Sequence, residues 1–241
     1  MCYDTLCLSG GGINGLNMLG SLKYLTDHNI LKIKNIDTFV GTSVGSIINL
    51  FLVLNYNINS IIKIVYKLDF TKIELDFDLD NFLENYGIDN ASRILTIMQT
   101  LLFNKTGYYD LKFIDLYNLT KKTLKILVVN YSQKKEELLS HETTPNMSII
   151  LAIRMSISIP LVFYPVKYND NYYIDGGIIN NFGFKYCNEK TTIGICIDTD
   201  IDKKPKDLLS FIKGIIVIID KVVSYNNFDN TNIIILRSKS A

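Results

Sequence analysis

Ile36-Asp37-Thr38-Phe39-Val40-Gly41-Thr42-Ser43-Val44-Gly45-Ser46 reads as a short buried strand, a tight turn and the start of a helix. The run 47–54 carries the helix on without a breaker. Gly41, Ser43 and Gly45 fall in a G-x-S-x-G arrangement, and strand, serine, helix is the order a nucleophile elbow needs. The serine sits on a strained turn, and small neighbours let the two backbones close around it. Ser43 is therefore the candidate nucleophile. Small-residue turns before buried helices are common, so the rest of the chain has to support the assignment.

Thr5-Leu6-Cys7-Leu8 is another apolar strand. It runs into Ser9-Gly10-Gly11-Gly12-Ile13-Asn14-Gly15, after which Leu16, Leu19, Leu22 and Leu25 recur at helical spacing. Successive glycines let several N–H groups point into one concavity, and the N-terminus of the following helix adds partial positive charge. Such a loop binds a negative group, and two kinds fit. Gly10, Gly12 and Gly15 match the dinucleotide fingerprint G-x-G-x-x-G, which expects an acidic residue at the far end of the second strand. Asp37 begins that strand instead. The other is an oxyanion hole, in which the N–H groups of Gly11 and Gly12 face an intermediate formed on Ser43. In a parallel sheet both loops leave the carboxyl edge of adjacent strands, and this second reading is favoured.

The chain has 241 residues, 48% of them hydrophobic, enough for one globular domain over 1–241. Lys plus Arg (25) balances Asp plus Glu (24), which leaves no electrostatic footprint for nucleic acid and no polybasic membrane anchor. Contact with a membrane surface would be peripheral and mainly apolar. The apolar runs 47–54 and 215–223 are too short to span a bilayer, and no basic segment precedes the first strand as in a signal peptide. The four cysteines, Cys2, Cys7, Cys187 and Cys196, form no C-x-x-C pair, so they are expected as reduced thiols in an intracellular protein. Glu74, Asp76, Asp78 and Asp80 alternate with apolar residues without ordered ligand spacing and read as a solvated segment; no metal or cofactor is expected.

Further helices are expected over 59–68, 81–103 (as one or two), 111–119 and 206–223, and strands over 124–129, 192–197 and 233–236. In the second helical stretch most of Ile97, Met98, Leu101, Leu102 and Phe103 are assigned to the core, with a lid or membrane-facing surface as the alternative. Pro145 and an Asn146 N-cap mark the start of another helix, which ends in Arg154-Met155-Ser156-Ile157-Ser158-Ile159-Pro160. A strand then ends at Asp175-Gly176-Gly177, which in isolation is also an ordinary Asp-Gly turn.

An activated serine needs a base, and the chain has two histidines. His28 lies at the far end of the first helix. His141 lies in a polar loop and would give the order Ser, His, Asp, which α/β-hydrolases do not use. The other solution is for Asp175 to take the Ser43 proton directly. A free aspartate, with a pKa of about 3.9, is a poor base at neutral pH. The oxyanion donors must then contribute heavily, at about 2.7 to 4 kcal/mol each.

Three motifs, Gly10-Gly11-Gly12 with Gly15, Gly41-Thr42-Ser43-Val44-Gly45 and Asp175-Gly176-Gly177, stand in the order found in the patatin-like phospholipase family. The connecting text from Ser140 to Pro160 and Asn180-Asn181-Phe182 resembles that family too. The resemblance implies a three-layer α/β/α fold with a mostly parallel central sheet, a Ser43–Asp175 dyad and an oxyanion hole at Gly10, Gly11 and Gly12. It also implies calcium-independent hydrolysis of fatty acyl esters of phospholipids through an acyl-enzyme, with no cofactor. Lysophospholipid, acylglycerol or thioester hydrolysis on the same dyad, and non-catalytic lipid binding on the same fold, are the alternatives. Two positions depart from the pattern. Asn14 stands where the family usually has a basic residue, and Asn181-Phe182-Gly183 lacks a following proline.

Overall fold

The computed structural model describes residues 3–67, 79–200, 204–206, 208–223 and 232–238. In chain order its elements are β1 (Thr5–Leu8), α1 (Gly15–Asp27), β2 (Thr38–Thr42), α2 (Val44–Val53), α3 (Ile58–Lys67), α4 (Leu79–Asn85), α5 (Ser92–Thr106) and α6 (Phe113–Thr120). Then follow β3 (Thr123–Asn130), β4 (Lys135–Leu139), α7 (Ile149–Ser156), β5 (Val166–Tyr168), β6 (Asn171–Asp175), β7 (Thr192–Thr199), α8 (Leu208–Val223) and β8 (Ile233–Ser238). Of the acidic segment, Glu74, Asp76 and Asp78 lie outside the described residues, and Asp80 is exposed in α4.

β3, β2, β1, β7 and β8 lie side by side and parallel. Parallel strands are covered on both faces and so read as nearly continuous apolar runs, which is why all four residues of β1 are buried. Leu6, Leu8 and Phe39 face the main core with α1 and α2. Cys7 and Val40, pointing the other way, meet Phe182 and Phe184 from the chain around a 3-10 turn at Gly183–Tyr186. Helical segments thus cover both faces of a mixed, mostly parallel sheet, the three-layer α/β/α arrangement.

All ten residues of α2 are buried, and this helix forms the centre of the main core. A helix apolar on every side is stable only when surrounded by protein. In α1 the buried positions are Met18, Leu19, Leu22 and Leu25, one stripe at helical spacing. On α5, Met98 and Leu102 are buried, Ile97 and Leu101 are half-buried and Phe103 is exposed. The N-cap of α7 is Ser148, whose Oγ accepts the Leu151 N–H at 3.0 Å, and not Asn146 as expected. Asn146 lies inside the turn that the Met147 N–H closes on the Thr144 carbonyl at 3.0 Å, and Ser148, with extended backbone and a short acceptor, takes the cap. Cys7, Cys187 and Cys196 are free thiols; Cys2 lies outside the described residues.

The way β3 shares its edges positions the site. Ile126 and Leu127 pair with β2 on one edge and with antiparallel β4 on the other. Val128 pairs with both β4 and antiparallel β6, so β6 occupies the edge that β2 has vacated. Thr42 stands opposite Leu127 and Asp175 opposite Val128. The two strands meet end to end.

Candidate active site

Ser43 is the first residue after β2 and has φ 52° and ψ −125°. A side chain on such a backbone costs on the order of 1–3 kcal/mol unless its surroundings over-determine it. Here they do. The Ser43 carbonyl accepts the Ser46 N–H at 2.9 Å and the Ser46 hydroxyl at 2.6 Å. The Ser43 N–H donates to Ser156 Oγ at 2.9 Å. Gly45 lets α2 press against the end of β1, because a Cβ there would stand 2.6 Å from the carbonyl oxygens of Leu8 and Ser9.

The glycine loop closes over the same place. A Cβ on Gly10 would come within 3.3 Å of Ser43 Cβ. Ser9 pins the entry to the loop, its Oγ donating to the Gly10 carbonyl at 2.7 Å and accepting the Ile197 N–H at 2.9 Å. Gly12 has φ +52°, a conformation that side chains rarely adopt, and it turns the loop toward α1. Gly10 donates its N–H to the Asn181 carbonyl at 3.0 Å. Of the three expected donors this leaves Gly11 and Gly12, whose residues line the cavity beside Ser43.

Asp175 ends β6 and is 4% exposed. Its carboxylate accepts the Gly177 N–H at 2.7 Å and lies beside the Ser43 hydroxyl, which favours its ionised form. Burial pushes its pKa up from the ordinary 3.8 to about 7, with the Gly177 N–H and the Ser43 hydroxyl pulling the other way. A carboxylate with its pKa near neutrality beside a strained serine is chemically able to accept that serine's proton.

A cavity of about 170 Å³ opens on this pair. Ile159, Ile178, Ile197, Ile216 and Val217 supply apolar wall, and Asn14 and Asn181 add amide side chains. Asp198 and Lys221, 3.7 Å apart, also line it. Asn14 thus faces the cavity from the position where a basic residue was noted as usual.

Neither histidine reaches the site. His28 caps α1, its Nδ1 2.9 Å from the Tyr24 carbonyl. His141 follows β4, on the edge of β3 opposite β2, and stacks on Tyr117 with ring centroids 3.9 Å apart. Asp37 precedes β2 at the opposite end from Ser43 and pairs with Lys122 at 3.0 Å, so it is not the acidic partner of a ribose held at the glycine loop. Among the described residues, no group of three or more His, Cys, Asp or Glu side chains could hold a metal ion, and no helix is long and apolar enough to cross a membrane. Sequence reading assigned no role to Ser9, Ser156 or Asn181; the signal available was a hydroxyl or amide inside an otherwise buried run.

The family model for patatin-like phospholipases matches residues 6–187. The chain is 36% identical over 194 residues to a probable lipid hydrolase, 463L, of Invertebrate iridescent virus 6, covering 78% of this chain and 66% of that protein. It is 34% identical over 179 residues to an uncharacterized protein of Acanthamoeba polyphaga mimivirus, covering 73% of this chain and 59% of the other. VipD from Legionella pneumophila has a similar fold, with a TM-score of 0.65 at 18% identity over 99% of this chain and 62% of VipD. The chain belongs to the patatin-like phospholipase family. It is a homologue of a probable lipid hydrolase, and it spans about two-thirds or less of the length of these relatives.

Proposed function

We propose that this chain hydrolyses a fatty acyl ester of a phospholipid, with Ser43 as nucleophile and Asp175 as the base. Ser43 Oγ attacks the ester carbonyl carbon as its proton passes to Asp175. The N–H groups of Gly11 and Gly12 and the N-terminus of α2 receive the negative charge that develops on the carbonyl oxygen. The ester C–O bond breaks, the leaving alcohol takes the proton from Asp175, and the acyl group stays on Ser43. A water then gives its proton to Asp175 and attacks the acyl carbon; the proton returns to Ser43 Oγ as the fatty acid leaves.

The single observation that carries this reading is the buried Asp175 carboxyl set beside Ser43 where β2 and β6 meet on β3, with burial raising its pKa to about 7. At that pKa about half of the carboxyls are ionised at neutral pH, which removes the objection that a free aspartate is too weak a base. The proposed steps call on groups of the chain and one water, and the reading is of a calcium-independent hydrolase. The cavity, at about 170 Å³, is close to the volume that holds one benzene in an engineered apolar cavity. It seats the ester and the first few carbons, and the rest of the lipid remains in the peripheral membrane surface from which it is drawn.

Covalent capture tests the nucleophile. An alkyl fluorophosphonate should add one phosphonyl group to the chain, located by peptide mass spectrometry on Ser43, and the Ser43→Ala chain should take up none. A label on another residue, or equal labelling of Ser43→Ala, would remove Ser43 from the reaction.

A further inference from the structure

Two hydroxyl residues at the end of α7 hold the two halves of the dyad, and they do so through the backbone. Ser156 is fully buried. Its Oγ accepts the Ser43 N–H at 2.9 Å and donates to the Leu127 carbonyl at 2.7 Å. Leu127 is the β3 residue that pairs with Thr42, the last residue of β2. The hydroxyl therefore bridges the gap that opens between the two strands where the chain turns away from the sheet at Ser43. Without it a buried N–H and a buried carbonyl would both lose this partner.

Two residues on, the Ser158 carbonyl accepts the Asp175 N–H at 2.9 Å. Ser158 is fixed in turn: its Oγ donates to the Arg154 carbonyl at 2.6 Å and accepts from Arg154 Nη1. Arg154, 7% exposed, also donates from Nε to the Asn90 carbonyl at 3.0 Å and from Nη2 to the Tyr164 carbonyl at 2.8 Å. A planar guanidinium with donors in a fixed fork holds three acceptors at set angles, which a lysine could not do. Residues 154–158 are thus one short rigid piece with Ser43 attached at one point and Asp175 at another.

We propose that Ser156 is a positioning residue of the reaction, holding the Ser43 elbow through its N–H so that Oγ faces Asp175, with the Arg154-supported Ser158 carbonyl setting the position of Asp175. This rests on the hydrolase reading. A hydroxyl displaced by about 1 Å from its base can cost on the order of a hundredfold in rate without changing how substrate is held.

The test uses the full chain, a soluble short-chain nitrophenyl ester and an alkyl fluorophosphonate, applied to the native chain, Ser156→Ala, Ser156→Thr and Leu116→Ala. Leu116 is buried in α6, away from the cavity, and its truncation is the control for lost stability. At a temperature where all four are folded, Ser156→Ala should lose roughly 10- to 100-fold in kcat and in Ser43 labelling rate, with KM within twofold of native. Ser156→Thr, which keeps the bridging hydroxyl, should recover most of the loss, and Leu116→Ala should keep native kcat. Ser156→Ala with kcat and labelling within twofold of an active native chain overturns the positioning role and leaves the hydrolase reading standing. A loss in Ser156→Ala that Leu116→Ala matches also overturns it. A native chain that neither turns over the ester nor labels overturns both.

Discussion

Asp175 stands opposite Val128 on β3, directly after the position opposite which Thr42 delivers Ser43, so the proposed nucleophile and base come from two strands that meet head-on along one edge. β2 arrives parallel and β6 antiparallel, and neither can continue past the other. The carboxyl ends up beside the hydroxyl because the sheet has a place for one strand there at a time. This explains how a carboxylate on a different hairpin, far away in sequence, lies beside the serine with no histidine between them. Burial at that junction raises the Asp175 pKa to about 7, against the Gly177 N–H and the Ser43 hydroxyl, which pull it down.

The activity should therefore follow the ionisation of Asp175. Only the carboxylate can accept the Ser43 proton, so kcat/KM is expected to fall about tenfold per pH unit below about 7 and to level off above it. A pH–rate profile on a soluble ester checks this. A flat profile from pH 5 to 8 would mean that Asp175 is not the group that titrates.

Stability should run in the opposite sense. Between pH 4 and pH 7 the folded chain holds a proton on Asp175 that the unfolded chain has released, so this residue's contribution to stability declines as pH rises through that window. Asp175→Asn removes the effect, and it should be more stable than native at pH 7.5 by up to about 4 kcal/mol, with the gap closing toward pH 4. Urea midpoints of both chains at the two pH values measure it. A variant less stable than native at pH 7.5 would show that the buried carboxylate is not a cost to the fold.

Gly45→Ala places a methyl against two backbone carbonyls at the end of β1, which cannot move aside as a flexible side chain would. The expected loss is roughly 1–3 kcal/mol or more, with activity falling as the elbow shifts. Gly20→Ala, where a Cβ meets nothing within 4 Å, is the matched control and should hold or gain slightly. Equal urea midpoints for the two variants would contradict the close approach.

The strands that carry the site were legible because they are buried on both sides, and Thr5–Leu8 and Thr38–Thr42 show as short runs without a charged residue beside glycines and a serine. The strand that ends at Asp175 was legible too, but β4 on the other edge of β3 was not: three of the five residues of Lys135-Glu136-Glu137-Leu138-Leu139 are charged, as suits a sheet edge exposed to solvent. Asp175 as the proposed base came with the family resemblance of its Asp-Gly-Gly motif, with a histidine left open beside it; its strength could not be read from sequence, since burial is a property of the folded chain. Gly10 illustrates the limit of a motif: its position in the loop is right for a donor, yet its N–H is spent on Asn181, a partner 171 positions away that no local pattern points to. The bridge from Ser156 to Ser43 spans 113 positions and was equally invisible.

The central claim is tested most directly by release of free fatty acid from phospholipid vesicles in the presence of a calcium chelator, comparing the native chain with Ser43→Ala and Asp175→Asn. The account predicts that the native chain releases fatty acid at the same rate with and without chelator, and that each variant loses several hundredfold or more, as members of one catalytic unit do. Release by Ser43→Ala at the native rate, or release by the native chain only when calcium is added, would contradict it.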